Sequence, residues 1–179
     1  FGEHNLQNME GARLLCENIG ISRDEFYTAI ASFTGSARRL EKVFENDSLT
    51  VFRDFAHSPS KLKATVDAVK QQYPNAEVIA VFELHTFSSL NREFLPQYWN
   101  TMGKADKAIV YYSAHVFELK RMPVLDKADV KAGFGGDTEV FTDSADLTEK
   151  INNLKSNVSG RHCVLLVMSS GNFDNAQLW

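Results

Sequence analysis

Three runs of this 179-residue chain are apolar almost without interruption: Glu77-Val78-Ile79-Ala80-Val81-Phe82, Ala108-Ile109-Val110-Tyr111-Tyr112 and Cys163-Val164-Leu165-Leu166-Val167-Met168. Successive side chains of a strand point to opposite faces, so a strand that is apolar throughout must be covered on both. The segments between these runs supply the cover. Leu62, Val66 and Val69 share one face of a helix over about Lys61 to Tyr73. A second helix is expected near Phe94 to Met102, and Leu147, Ile151 and Leu154 mark a third after Ser144. Val140-Phe141 reads as a short strand. Leu40 to Phe44 and Leu49 to Phe55 read as two strands joined by a turn at Asn46-Asp47-Ser48. This alternation predicts an α/β fold, with a mostly parallel sheet covered by helices on both faces.

Two helices are expected ahead of the sheet. Ala12, Leu15, Cys16 and Ile19 recur at helical spacing from Met9 onward, and Gly20 sits where a closing glycine belongs. Ser22-Arg23-Asp24-Glu25 has the pattern of a capping box, flanked by Ile21 and Phe26 at the positions of a hydrophobic staple. Phe26, Ala29, Ile30 and Phe33 form the stripe of the second helix. The period changes at Ser32 to Ser36, which predicts a domain boundary there.

Composition narrows the functional classes. The chain is 44% hydrophobic with a net charge of −4, which excludes disorder and gives no electrostatic reason to expect nucleic acid. A chain of this length buries roughly 70% of its unfolded surface and needs no staples. No apolar run reaches the roughly 18 residues of a membrane span, and FGEHNLQNMEGAR lacks the apolar core of a signal peptide. The two cysteines, Cys16 and Cys163, lie far apart in no metal-like spacing, which fits a reducing cytoplasm. The triplets Asn46-Asp47-Ser48 and Asn157-Val158-Ser159 are therefore read as accidental rather than glycosylated. Phe1 in place of Met points to a piece of a longer protein.

In parallel sheets ligands bind beyond the carboxyl ends of the strands, and three polar segments lie there. In Arg53-Asp54-Phe55-Ala56-His57-Ser58-Pro59-Ser60, Ser58 and Pro59 read as a helix start. Asp54 and His57 neither cap nor fill a core; an acid at a strand end can accept from ribose hydroxyls, with the histidine in reach. Glu83-Leu84-His85-Thr86-Phe87-Ser88-Ser89-Leu90-Asn91 is either an ordinary connection or a ligand loop, and its length favours the latter. Ser169-Ser170-Gly171-Asn172-Phe173 is either a turn or a set of backbone N–H groups facing a ligand at a helix start. Arg38-Arg39 is either a solvated pair or a phosphate or ribose contact. Gly133-Phe134-Gly135-Gly136 follows no strand and fails the dinucleotide test. His115 and His162 read as structural. The chain contains no G-x-x-x-x-G-K-[ST], G-x-S-x-G or H-E-x-x-H.

Five segments, in order, resemble one family. They are Gly2-Glu3-His4-Asn5 with Asn8, Phe33-Thr34-Gly35 with Arg38-Arg39-Leu40-Glu41, Asp54-Phe55-Ala56-His57-Ser58-Pro59, Phe82-Glu83-Leu84-His85, and Met168-Ser169-Ser170-Gly171. Their order and spacing are similar to the ATP-dependent Mur ligases of peptidoglycan synthesis, over essentially the whole chain. The resemblance implies a Rossmann-like third domain at residues 33–179, preceded by the end of the central ATP-binding domain at residues 1–32. It implies ATP and Mg2+ as cofactors, with UDP-N-acetylmuramate, an amino-acid or peptide substrate and the enzyme's own first two domains as partners. The chemistry implied is amide-bond formation: ATP phosphorylates the muramyl carboxylate, and an amine attacks the acyl phosphate. By resemblance His4, Asn5, Asn8, Arg39, Asp54 and His57 meet the nucleotide, while His85, Ser88, Ser169, Ser170 and Gly171 meet the substrate. No catalytic residue and no metal ligand is assigned within this stretch. Because the phosphate loop is missing, the piece alone is expected to be inactive.

The D-x-A-H signature at Asp54 to His57 narrows the resemblance to two branches. One adds L-alanine to UDP-N-acetylmuramate; the other, in peptidoglycan recycling, adds L-alanyl-γ-D-glutamyl-meso-diaminopimelate. The alanine branch usually carries a second histidine after His57 and arginines after its His85 equivalent. Here Ser58, Thr86 and Ser89 stand at those positions, and Met-Ser-Ser-Gly-x-Phe closes the last strand as in the recycling branch. The tripeptide is therefore the expected amine, with L-alanine as the alternative. A nucleotide- or peptide-binding module that forms no bond is the reading from a different class.

Overall fold

The computed structural model describes residues 2–33, 35–157 and 160–179. Phe1, Thr34 and the Val158-Ser159 part of the second triplet lie outside the described residues. A six-stranded sheet forms the centre, in the order β1-β2-β6-β3-β4-β5. Its strands are β1 (Glu41–Glu45), β2 (Leu49–Asp54), β3 (Glu77–Glu83), β4 (Lys107–Tyr111), β5 (Glu139–Phe141) and β6 (Cys163–Met168). Only β1, at one edge, runs antiparallel; β2, β6, β3, β4 and β5 are parallel to their neighbours. Asn46 makes the hairpin turn by accepting from the N–H groups of Ser48 (2.9 Å) and Leu49 (2.8 Å) through its side-chain oxygen.

The fully apolar runs are the inner strands, as their composition requires. All six residues of β6 are buried. One face is covered by α3 (Pro59–Gln72), α4 (Ala114–Lys120) and α5 (Lys127–Phe134), with Leu62, Val66, Phe117, Val130 and Phe134 packed on Phe82, Val110 and Leu166. The other face is covered by α6 (Ser144–Ser156), through Leu147 and Ile151, and by Phe173 and Leu178 of the final segment. His162 is structural, as expected: its ring stacks on Tyr73 and meets the Thr50 hydroxyl at 2.9 Å.

Some elements differ from the sequence expectation. The first helix, α1, spans Glu3–Asn18 and so starts well before Met9. Its apolar stripe stays in solvent: no residue of α1 is buried, and Leu15 and Ile19 are 70% and 77% exposed. Gly20 does close it, in the left-handed region, with Ile21 N–H donating back to Cys16 O at 3.0 Å. The capping box at Ser22 forms ahead of α2 (Arg23–Ile30). The helix expected near Phe94 to Met102 is instead a 3-10 helix over Arg92–Tyr98, because Pro96 inside it has no N–H to donate. Helices α4 and α5 carry too few periodic residues to be read from sequence, and Gly133-Phe134-Gly135 is simply the end of α5. Ser58 precedes α3 without a side-chain cap bond, although Pro59 takes the first turn as expected.

Candidate functional site

The carboxyl ends of β2 and β6 open onto two cavities. The first, about 260 Å3, is lined by His4, Asn5 and Asn8 from α1, by Arg39 and Asp54, and by Lys61 and Thr65 from α3. Helical geometry puts His4, Asn5 and Asn8 on one side of α1, since residues three and four apart are surface neighbours. Five of the six residues expected at the nucleotide thus line one void, although 50 positions separate His4 from Asp54. His57 does not. Its ring packs edge-on against Phe55 (centroids 5.1 Å apart) and its Nδ1 lies 2.9 Å from the Phe55 carbonyl. Lys61 was not flagged by sequence; its presence follows from Pro59 starting α3, which turns the first helical turn toward the cavity. A larger open groove of about 690 Å3 between α1 and α3 shares His4. Its lysines are already paired, Lys70 with Asp106 at 2.6 Å and Lys104 with Asp67 at 3.4 Å, and it lies away from the strand ends. The smaller cavity is the better site.

Asp54 is buried, at 9% exposure, and most of its acceptor capacity is used within the protein. One carboxylate oxygen accepts from Leu40 N–H at 2.7 Å; the other accepts from Ala56 N–H at 2.7 Å and the Thr65 hydroxyl at 3.3 Å. A carboxylate has about four acceptor positions, so one direction stays open. The Leu40 bond matters for Arg39. Arg38 and Leu40 both adopt positive φ, 57° and 45°, a conformation that non-glycine residues hold only when fixed from outside. Asp54 supplies that restraint and so fixes the turn presenting Arg39.

The second cavity, about 130 Å3, lies beside the first and is lined by Arg38, Arg53, Ser169, Gly171, Asn172 and Trp179 among others. The adjacent arginines Arg38 and Arg39 therefore serve different cavities. Arg53 is held by Glu41 at 2.9 Å. His85 packs against this wall: a side-chain carbon on Gly171 would come within 2.6 Å of the His85 ring and 2.7 Å of a Glu83 oxygen, so only glycine fits there. Of the two readings of Ser169–Phe173, the bonds favour the turn. Gly171 N–H donates to the Ser169 hydroxyl at 2.6 Å and Phe173 N–H to Glu83 at 3.1 Å, so neither faces a ligand. The helix that follows is only a 3-10 turn, Phe173–Asn175. Ser88 is exposed, its hydroxyl 3.2 Å from that of Thr86, and Ser170 is half-buried; neither lines the cavity.

Glu83 is the group that sequence reasoning passed over. Burial holds its carboxyl above the ordinary carboxylate range, opposed by the Ser169 hydroxyl, the Phe173 N–H and His85. Neighbouring Tyr111 is also raised, by burial first and then by its bond to Asp174 at 2.9 Å. Only the pairing of β3 with β6 makes the Glu83 arrangement visible. Among the described residues no group of three His, Cys, Asp or Glu side chains is arranged to hold a metal ion, and no helix is long and apolar enough to cross a membrane.

Comparison with known proteins agrees with this architecture. A UDP-N-acetylmuramate–L-alanine ligase of Cutibacterium acnes is 32% identical over 156 residues, covering 84% of this chain and 32% of its own length. The solved UDP-N-acetylmuramate-alanine ligase of Thermotoga maritima superposes with a TM-score of 0.71 at 17% identity, over 98% of this chain and 36% of its own. A murein peptide ligase of Psychrobacter arcticus gives 0.64 at 22% identity, over 98% of this chain and 36% of its own. These two likenesses speak to the fold, and the chain spans about a third of each relative's length. The family model for the Mur ligase, glutamate ligase domain, matches residues 38–171. Sheet order, strand-end cavities and this match lead to one conclusion: the chain belongs to the Mur ligase family and carries its C-terminal domain.

Proposed function

We propose that the chain is the third domain, with the end of the central domain, of an ATP-dependent ligase that joins the carboxylate of UDP-N-acetylmuramate to the amine of L-alanyl-γ-D-glutamyl-meso-diaminopimelate. The observation that carries this reading is the meeting of His4, Asn5 and Asn8 with Arg39 and Asp54 around one cavity. On this reading residues 1–32 end the central domain, residues 33–179 form the third, and the nucleotide lies between them. Asn5 and Asn8 offer amide donors and acceptors to a base, Asp54 its remaining acceptor direction to a ribose, and Arg39 a charge to the phosphates. ATP supplies the phosphoryl group that activates the carboxylate; this chain's residues hold the nucleotide and orient the amine, which is the larger part of such catalysis. Magnesium is expected to reach the site with the nucleotide's phosphates, which need only one or two protein oxygens beside them, and no step here runs through it.

Thr86 and Ser89 follow His85 where arginines would grip a free amino acid, which favours the tripeptide. The L-alanine ligases among its relatives favour the second reading, L-alanine as the amine. An assay of ADP release by the complete enzyme separates them. Turnover with tripeptide and not with L-alanine is the expected result. Turnover with L-alanine alone establishes the second reading, and turnover with neither overturns both in favour of a binding module.

A further inference from the structure

Glu83 is the last residue of β3 and only 4% exposed. A buried carboxylate is costly unless its oxygens are engaged. One oxygen of Glu83 accepts twice, from the Ser169 hydroxyl and from Phe173 N–H at 3.1 Å. Both donors belong to the loop that follows β6. The register explains why: Phe82 pairs with Met168, which brings Glu83 and Ser169 to the next rung, and Glu83 pairs with Tyr111 on its other side. Tyr111 in turn donates its hydroxyl to Asp174 at 2.9 Å. The ends of three neighbouring strands therefore hold one loop.

That loop needs holding. Phe173, Asp174 and Asn175 have φ of 54°, 51° and 62° in succession. Three consecutive non-glycine residues in the left-handed region persist only where the surroundings over-determine them. The Phe173 ring is anchored in the core beside Tyr111, with centroids 5.9 Å apart. Just before it, Ser169, Gly171 and Asn172 form a wall of the cavity that Arg38 and Arg53 share. The groups facing Glu83 are His85, Ser169, Phe173 N–H, Tyr111 and Asp174.

We propose that Glu83 is a positioning residue for the incoming amine: without touching it, Glu83 clamps the strained loop so that Ser169, Gly171 and Asn172 keep their places in the cavity wall. This rests on reading that wall as the amine site. Arg38 gives that wall a guanidinium suited to a carboxylate on the incoming amine, while Arg53 is already held by Glu41.

The test is steady-state turnover of the complete ligase with wild type, Glu83→Ala and Glu83→Gln, varying L-alanine or the tripeptide and then ATP. Glutamine keeps an oxygen that accepts from Ser169 and Phe173; alanine does not. The expected result is a KM for the amine raised about tenfold or more in Glu83→Ala, with KM for ATP within about twofold and Glu83→Gln within about threefold of wild type. Should Glu83→Ala fail to fold, Ser169→Ala, lacking one of the two donors, shows the same selective rise at smaller size. Equal changes in both KM values, or a fall in kcat at unchanged amine KM, overturn the proposal alone. Absence of turnover in the wild type overturns the reading of the site and the proposal with it.

Discussion

Asp54 turns both carboxylate oxygens into the protein, and that decides what its loss does. Asp54→Ala leaves the N–H groups of Leu40 and Ala56 without their 2.7 Å acceptor. Orphaned donors out of water cost about 1–3 kcal/mol each, so denaturant unfolding should show a loss of about 2–6 kcal/mol. Asp54→Asn keeps one oxygen and should lose less. Glu83 gives a pH signature. Its folded pKa is raised by burial, so the folded state binds the proton more tightly than the unfolded chain. The stability that follows is fully present below the ordinary value of 4.5 and is lost as pH rises through the raised folded value. Glu83→Gln does not titrate, so its Tm should rise relative to wild type as pH climbs from acid to neutral; parallel curves would refute this. The sequence marks Asp54 because it neither caps a helix nor fills a core. It cannot show the bond to Leu40, which depends on a hairpin folding back across 14 positions. Glu83 stays hidden for the same reason, since its partners come from a loop more than eighty residues later.

Helices α4 and α5 show where periodicity runs out. Short helices offer two or three buried residues each, Val116 and Phe117 in α4, which is too little to distinguish a stripe from chance. Long or fully apolar elements, α3 and the inner strands, were legible because burial on one or both faces dictates their residue pattern. Gly133, in a glycine-rich segment to which the sequence assigns no element, is a helical contact. A side-chain carbon there would stand 2.7 Å from Leu95 Cβ and 3.1 Å from its backbone. Gly133→Ala should therefore cost about 1–3 kcal/mol in thermal or denaturant unfolding, the usual penalty of overpacking. The capping box is a smaller, local matter. Ser22→Ala removes the acceptor of Glu25 N–H, and about 1 kcal/mol of helix stability with it. Hydrogen exchange confined to the first turn of α2 should report this loss, since α2 buries only Phe26.

At the scale of the molecule, the two cavities meet along one seam: Ser169 N–H donates to Asp54 O at 3.0 Å, joining the ends of β6 and β2. Residues from α1 and from the sheet share the first cavity, so they should act on one ligand. Asn5→Ala and Arg39→Ala in the complete enzyme should each raise KM for ATP by about tenfold and leave KM for the amine unchanged. A change in the amine constant instead would separate the two sides. Parallel architecture and strand-end location of the site were legible from the apolar runs; the strand order was not, because nothing in a run of Cys-Val-Leu-Leu-Val-Met says which neighbours it pairs with. That order governs how the protein can be made. The sixth of these strands in sequence, β6, lies inside the sheet, bonded on one side to β2 and on the other to β3. While the ribosome is still translating residues ahead of Cys163, the nascent chain can hold only two half-sheets, each with a bare apolar edge. Such edges invite wrong pairing between chains. Strand β6 is thus the zipper between the halves, and a stalled or truncated product that ends before it has no route to the native sheet.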